Sequence, residues 1–431
     1  MVKIISYLWL ASLAGAGAAF FSQVVIARQL SVADFGVFSS AMATVALVTP
    51  LAGFGIAAYW LKVFGQEGWK ATRWLKSSIS FVVMSTLLVL FLLSVWAMLG
   101  PHDLAMRKLL LLLSFYMVGQ VFIELVSARL QLEERYIGLA LWQSIPHFMR
   151  LLLIVVFIYF FPDNLNLYSI AYMYIVVVLL ISLISIYSLW GMFQGRFFLK
   201  GHGAVAGSAN NLKQENSTLS SLVVECWPFG MAGVFYLIYF QSDIVLLKYL
   251  SGAETAGIYN VAFLVMGAVY LLPSVAYQKF LLPKLHRWAH NDRVRLYKTF
   301  RVGNIIMLGL GIVAMLLLWV VVPWVVPLLF GVEYKNTIPL LMILSLAAPV
   351  RFLATSVGAM LTTKEYMQKK VKYMGVVAIL NIMLNIMLIP TFSAHGAAVA
   401  TVISEFVLLI IYWFSVKANV FTNLERKANV I

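Results

Sequence analysis

Residues 28–34 read RQLSVAD and residues 248–254 read KYLSGAE. The two segments lie 220 positions apart and share Leu30/Leu250, Ser31/Ser251 and Ala33/Ala253, opening on a cation (Arg28, Lys248) and closing on a carboxylate (Asp34, Glu254). A serine followed three positions later by an acidic residue has the spacing of a capping box, which satisfies the free N–H groups where a helix restarts. Each copy on its own therefore needs only a structural reading. The recurrence says more: each copy joins two apolar helices, and the second stands six helices after the first. An even number keeps orientation, so the halves are parallel repeats related by an axis along the membrane normal.

The flanking sequence makes those helices membrane spans. Of 431 residues, 63% are hydrophobic and 11% charged, against about 45–50% and 25% in soluble domains, and the mean hydropathy is +0.94. Soluble enzymes and nucleic-acid modules are excluded. Crossing a hydrocarbon core takes about 20 apolar residues, and such stretches occur at 4–27, 35–61, 78–99, 108–128, 137–161, 166–192, 221–247, 255–277, 302–330, 337–362, 371–390 and 394–416. The first follows Lys3 like a signal peptide, but its apolarity runs unbroken to Ala27 and it reads as a span. The expected fold is an all-α polytopic membrane protein of twelve transmembrane helices in two six-helix parallel-repeat lobes. These are 1–192 and 221–416, with a Gly/Ser/Asn-rich cytoplasmic linker at 193–220 and a cytoplasmic tail at 417–431. The lone Cys226 excludes an internal disulfide and reads as a small apolar helix residue.

Charge sets the orientation. Turns on one side, together with both termini, hold 24 Lys and Arg, including Lys62, Lys70, Arg73 and Lys76 in one turn and seven between Lys279 and Arg301. The opposite turns hold five: Arg28, Arg107, Lys108, Lys248 and Lys335. Both termini are thus expected in the cytoplasm, and the net charge of +15 is a positive-inside signal rather than a nucleic-acid footprint.

Charges at bilayer depth are costly and normally face a bundle interior or a wet cavity. Six fall inside spans: Glu124, Arg150, Glu225, Asp243, Arg351 and Glu405. Helical spacing places Tyr116, Gln120, Glu124, Ser127 and Gln131 on one face, Gln143, His147 and Arg150 on another, Arg351, Thr355, Gly358 and Thr362 on a third, and Asn381 with Asn385 on a fourth. Arg150 and Arg351, one per half, offer ionised planar forks suited to phosphate oxygens. Two readings stand for each: contact with an anionic head group, or pairing with a carboxylate, for example Arg351 with Glu124. The surplus carboxylates leave Glu124, Glu225 and Glu405 for proton or cation coupling, while Asp243 near the outer end would couple or serve Lys248. Glu225 and Asp243 mark opposite ends of one helix, about 27 Å apart at 1.5 Å per residue, and cannot be a catalytic pair. Gly15, Ala19, Ser22 and Gly396, Ala400, Ser404 form small-residue faces for close helix packing. No Cys/His cluster at metal-ligand spacing and no Walker-type loop is present, so no resident metal and no ATP hydrolysis is expected.

The runs ARQLSVADFGVFSSA (27–41), QSDIVLLKYLSGAETAGIYNVA (241–262), LFGVEY (329–334) and LNIMLNIMLIPTFSAHGAAVATVISE (380–405) resemble the Wzx-type polysaccharide flippases. These belong to the multidrug/oligosaccharidyl-lipid/polysaccharide (MOP) exporter superfamily, which also holds the MATE-like drug antiporters and the lipid II flippase. The resemblance implies a non-enzyme: a flippase moving an undecaprenyl-diphosphate-linked oligosaccharide across the bacterial inner membrane by alternating access, for O-antigen, capsule or exopolysaccharide synthesis. It implies a polar, partly cationic cavity with Arg28, Arg150 and Arg351 as diphosphate or sugar contacts. Gln120, His147, Asn381 and Asn385 join these as substrate-binding candidates on the same polar faces, and Glu124, Glu225, Glu405 and Asp243 are the coupling candidates. No cofactor is implied beyond an H⁺ or Na⁺ gradient; partners would be membrane lipids and the polysaccharide polymerase and chain-length machinery. The alternatives are a cation-coupled multidrug exporter, a membrane oligosaccharide polymerase or ligase, and a scaffold. The polymerase would need a sizeable outer loop, which the short outer turns do not supply.

Overall fold

In the computed structural model, every regular element among the described residues is a helix. The described residues are 2–199, 218–275, 293–362 and 366–421, with Tyr277, Leu281, Leu285 and Trp288; side chains are described from Leu10 onward. Most of the expected linker (200–217), the basic residues Lys279, Lys284, Arg287 and Lys364, and the tail beyond 421 lie outside them.

The helices are α1 (Val2–Gln29), α2 (Val32–Gly53), α3 (Ile56–Glu67), α4 (Arg73–Leu99), α5 (Leu104–Leu132), α6 (Tyr136–Phe160), α7 (Leu167–Phe193), α8 (Leu219–Leu250), α9 (Ala253–Val275), α10 (Arg293–Phe330), α11 (Thr337–Ser345), α12 (Ala347–Met360) and α13 (Met367–Asn419). Nine helical runs are long and apolar enough to cross a membrane, and the bent pair α11–α12 makes a tenth. Two of the nine contain a reversal, so the chain is multi-pass, with twelve apolar passes among the described residues. The 53 residues of α13 would extend about 80 Å as one rod, far beyond a core of about 30 Å. Instead Ser393 takes φ 52° and ψ −133°, and the arms fold back. Tyr366 donates to the Asn419 carbonyl, Asn381 to Ser404, and a Cβ on Gly396 would strike the Leu388 carbonyl. All three pairs straddle residues 392–393, which defines an antiparallel hairpin. The run Val32–Leu99 folds likewise, with Tyr59 against Trp74 and Phe54 against Phe81.

Two expected spans are broken rather than straight. The 35–61 span ends at Phe54 (φ 40°) and Gly55 (φ 74°), just after Pro50. Only glycine enters that left-handed region without strain, and a Cβ on Gly55 would lie 2.6 Å from the Gly230 nitrogen of α8. The 337–362 span bends by 41° between α11 and α12. Pro349 supplies the reason: it has no N–H for the Ser345 carbonyl and its ring crowds that carbonyl.

By its contacts the chain divides into two compact units, Met1–Leu30 with Ala41–Leu237, and Ser31–Ser40 with Ile238–Ile431. In the first, α1 packs along α6 and α5 along α7. Gly15 lies 3.3 Å, measured from its virtual Cβ, from the Ser144 Cα, the close approach its small-residue face was expected to allow. In the second, α12 packs between α10 and α13. The tip Ser31–Ser40 belongs with the second unit because the two copies of the repeated motif meet there. A Cβ on Gly36 would strike the Ala253 carbonyl, one on Gly257 would strike the Val32 carbonyl, and Asn260 donates to Ser39 at 2.8 Å. At the first copy Ser31 caps α2, accepting from the Asp34 N–H at 3.1 Å and donating to its carboxylate at 2.8 Å.

Candidate functional site

Among the described residues, two buried charges without a counter-charge stand out, one in each unit. Arg150, on α6, is 7% exposed. Its Nε donates to the Pro146 carbonyl at 3.1 Å, which that carbonyl can accept because it lies on the same helix one turn back. One Nη lies 2.6 Å from His147 Nδ1 and the other 3.5 Å from the Tyr116 hydroxyl. The guanidinium sits over two rings, Tyr174 at 5.0 Å and Tyr116 at 5.6 Å. Gln23 of α1 holds the Tyr174 hydroxyl at 3.2 Å, and Gln120 borders the same small space between α5, α6 and α7. Among the described residues no carboxylate pairs with Arg150. Aromatic faces offset only part of the cost of burying a cation. The arrangement is a fixed guanidinium with unspent capacity for an anion.

Asp243, on α8, is 1% exposed. Its carboxylate accepts from Tyr259 of α9 at 2.7 Å, from Thr401 of α13 at 2.5 Å and from Asn385 at 2.7 Å. Asn381 accepts from Ser242 at 3.1 Å and bonds Asn385 in turn. The Asn385 Oδ1 has no hydrogen-bond partner among the described residues, and no cation pairs with Asp243 there. A buried carboxylate thus sits among three neutral donors, two hydroxyls and the Asn385 amide N–H, which hold it without neutralising it; such a group is suited to taking up a proton or a small cation.

These placements revise several expectations. Asn381 and Asn385 are both fully buried and serve the Asp243 cluster rather than an open substrate face. Asp243 itself takes three hydrogen bonds from its neighbours instead of serving Lys248, because the α8–α9 hairpin sets Tyr259 opposite it. Arg351 pairs with Glu405 at 3.0 Å, not with Glu124, since α12 and α13 pack together in the second unit while Glu124 belongs to the first. The Arg351 guanidinium also covers Phe240 at 4.7 Å. Glu225 is not isolated within a span but half-exposed near the start of α8, paired with Lys62 at 2.7 Å. Glu124 is exposed on α5, 3.7 Å from where a Cβ on Gly53 would stand. Arg28 lies exposed at the end of α1. The structure therefore gathers Arg150, His147 and Gln120 into one centre and Asp243, Asn381 and Asn385 into another. Tyr174, Gln23, Tyr259 and Thr401 are the partners that helix periodicity did not single out. Hairpin register could have found Tyr259 and Thr401, which stand opposite Asp243 and Asn385 when the turns at 251–252 and 392–393 are folded.

The fold recurs in solved structures. The chain superimposes on the lipid II flippase MurJ in an inward closed conformation with a TM-score of 0.72 at 16% identity, covering 95% of this chain and 87% of that one. It matches an inward-facing multidrug resistance MATE family transporter of the MOP superfamily with a TM-score of 0.68 at 14% identity, over 96% and 95% of the two chains. A MOP superfamily transporter from Pyrococcus furiosus, described as having a binding pocket of reverse polarity, gives a TM-score of 0.64 at 13% identity over 97% and 95%. These likenesses establish the fold as that of the MOP transporters. No curated protein matches in sequence. The sequence model described as polysaccharide biosynthesis protein matches residues 1–287. That is well over half of the chain, and the chain belongs to this polysaccharide biosynthesis family.

Proposed function

We propose that this protein is a Wzx-type flippase that moves an undecaprenyl-diphosphate-linked oligosaccharide across the bacterial inner membrane for surface polysaccharide synthesis. Its two six-helix lobes, 1–192 and 221–416, would work by alternating access with both termini in the cytoplasm. Family membership and the MOP transporter fold support a lipid-linked cargo. The observation that carries the reading is Arg150: a buried guanidinium held by Tyr116, Tyr174 and the Pro146 carbonyl, with no carboxylate partner among the described residues. Such a group favours a diphosphate and repels the organic cations that a multidrug exporter carries. Asp243 is the preferred coupling group, taking H⁺ or Na⁺ with Asn385, Thr401 and Tyr259; Glu405 is committed to Arg351 and Glu225 to Lys62. Polymerase and chain-length proteins are the expected partners.

The test is a deletion strain complemented with wild-type or Arg150→Gln protein. Wild type should restore surface glycan, while the variant, inserted at equal level, should leave the lipid-linked repeat unit on the inner leaflet. Normal glycan in the variant would remove Arg150 from the substrate path.

A further inference from the structure

A cavity of about 600 Å³, whose lining shares no residue with either buried centre, lies where α3 ends and α4 and α8 begin. Tyr59, Lys62, Gln66, Glu67, Trp74 and Glu225 line it. Pockets of roughly 300–1,000 Å³ accommodate small organic ligands. The Trp74 indole forms one wall and is braced edge-on by Tyr59, with ring centroids 5.5 Å apart. Its outer flank is fixed by Arg73, whose guanidinium lies 5.5 Å from the indole and bonds Glu67 at 3.1 Å. The Trp74 Nε1 and the second Glu67 oxygen have no hydrogen-bond partner among the described residues. Lys62 and Glu225 pair within the same lining at 2.7 Å with both side chains partly exposed. A pair of that kind contributes little, so a ligand can part it cheaply.

The charges decide the ligand class. The lining carries one ammonium and two carboxylates, so a phosphate finds no surplus cation. Hydroxyl groups find acceptors in Glu67 and Glu225 and donors in Lys62 and Gln66. A flat apolar wall ringed by such donors and acceptors matches a pyranose, whose C–H face is apolar and whose rim is hydroxylated. The neighbouring basic residues Lys70 and Lys76 are exposed and stand in the turn that charge asymmetry assigns to the cytoplasm. We infer that this cavity binds uncharged sugar residues of the lipid-linked oligosaccharide before translocation, through stacking on Trp74 and hydrogen bonds to Glu67, Glu225 and Lys62. The inference rests on the flippase reading for the identity of the sugar, but the cavity can be tested without transport.

The experiment uses full-length protein in nanodiscs and two probes: the free oligosaccharide released by mild acid from the lipid carrier of the producing cells, and inorganic pyrophosphate. Saturation-transfer NMR should detect the oligosaccharide on wild type. Binding should weaken about tenfold in Trp74→Ala through loss of the stacking face, and several-fold in Trp74→Phe, whose smaller ring offers less of that face. Arg150→Gln should bind the oligosaccharide as wild type does, and pyrophosphate should not displace it. Absence of saturation transfer on wild type, displacement by pyrophosphate, or unchanged binding in Trp74→Phe and Glu225→Gln together would overturn the inference. Oligosaccharide binding by a wild-type protein that fails to restore surface glycan to the deletion strain would instead count against the flippase reading alone.

Discussion

Arg150→Gln should separate a functional arginine from a structural one, because the two roles predict opposite signs. The substitution gives up the contacts over Tyr116 and Tyr174, each worth about 1 kcal/mol and more when desolvated. It also loses a charge-assisted bond to the Pro146 carbonyl, worth about 1.5–3 kcal/mol. Against these stands relief of a buried charge with no carboxylate beside it, an effective penalty of several kcal/mol. The terms nearly cancel, so thermal unfolding in detergent should shift little, by less than about 2 kcal/mol in either direction. Affinity for a diphosphate should behave otherwise. Losing a buried, hydrogen-bonded charge partner costs about 2–5 kcal/mol, or roughly 30-fold to several thousandfold. The assay pairs thermal unfolding with lipid-linked oligosaccharide uptake into proteoliposomes, and Arg150→Lys, which keeps charge without the fork, should fall between. A protein destabilised by more than about 3 kcal/mol, or transport at the wild-type rate, would refute the reasoning.

Arg351 should behave in the reverse way. Removing either member of its pair with the buried Glu405 strands a charge and should destabilise by about 3–5 kcal/mol, while Arg351→Gln with Glu405→Gln should recover most of the loss in a double-mutant cycle of unfolding. Asp243→Asn should remain folded, since Asn385 has an unpartnered Oδ1 to turn toward the new amide, but should lose cation-dependent stabilisation. A cation at a hundred times its Kd should raise wild-type stability by about 2.7 kcal/mol; scans in Na⁺ against choline, and across pH, will show which ion, and an unchanged response in the variant would acquit Asp243. Gly36→Ala and Gly257→Ala each drive a methyl group into a facing backbone carbonyl and should each cost about 1–3 kcal/mol, read as lower yield of folded protein. Ser393→Gly, at φ 52°, should be neutral or stabilising by up to about 1 kcal/mol, whereas Ser393→Val should lower the melting temperature.

Twelve crossings and the all-helical class were legible because hydrophobic length is a property of each segment by itself. Helix continuity was less so. Pro50 and Pro349 were visible in the sequence, but proline only permits a break, and neighbours decide whether it is taken: Gly230 and Phe229 crowd Gly55, and Gly311 closes on Pro349. The six intramembrane charges were visible for the same reason as the spans, yet their partners were not, since pairing depends on which helices touch. Periodicity assigned faces within one helix and missed Thr401, one hydroxyl among several in the second arm of α13. It likewise missed Tyr174, which reads as one more aromatic in an apolar run until Arg150 lies across its face.

Of the six charges read as intramembrane, Arg351 and Glu405 cancel each other, Glu225 is paired outside the core, Glu124 is exposed, and Arg150 and Asp243 are buried with no counter-charge among the described residues. Arg351 and Glu405 form a pair, and Glu225 answers to Lys62 in the partly exposed lining of a cavity, so these three add little to the electrostatics of a path. What remains buried and uncompensated among the described residues is one cation in the first unit and one carboxylate in the second, each stabilised by neutral groups that hold it without neutralising it. An uncharged amide at either position would keep most of these hydrogen bonds without the cost of a buried charge, whereas a leucine at 243 would leave the Tyr259, Thr401 and Asn385 donors without that acceptor. Under the flippase reading proposed above, the lone guanidinium would meet the anionic cargo and the lone carboxylate a cation or proton. That division is what a transporter requires if the downhill entry of a small cation is to drive the uphill passage of a charged lipid.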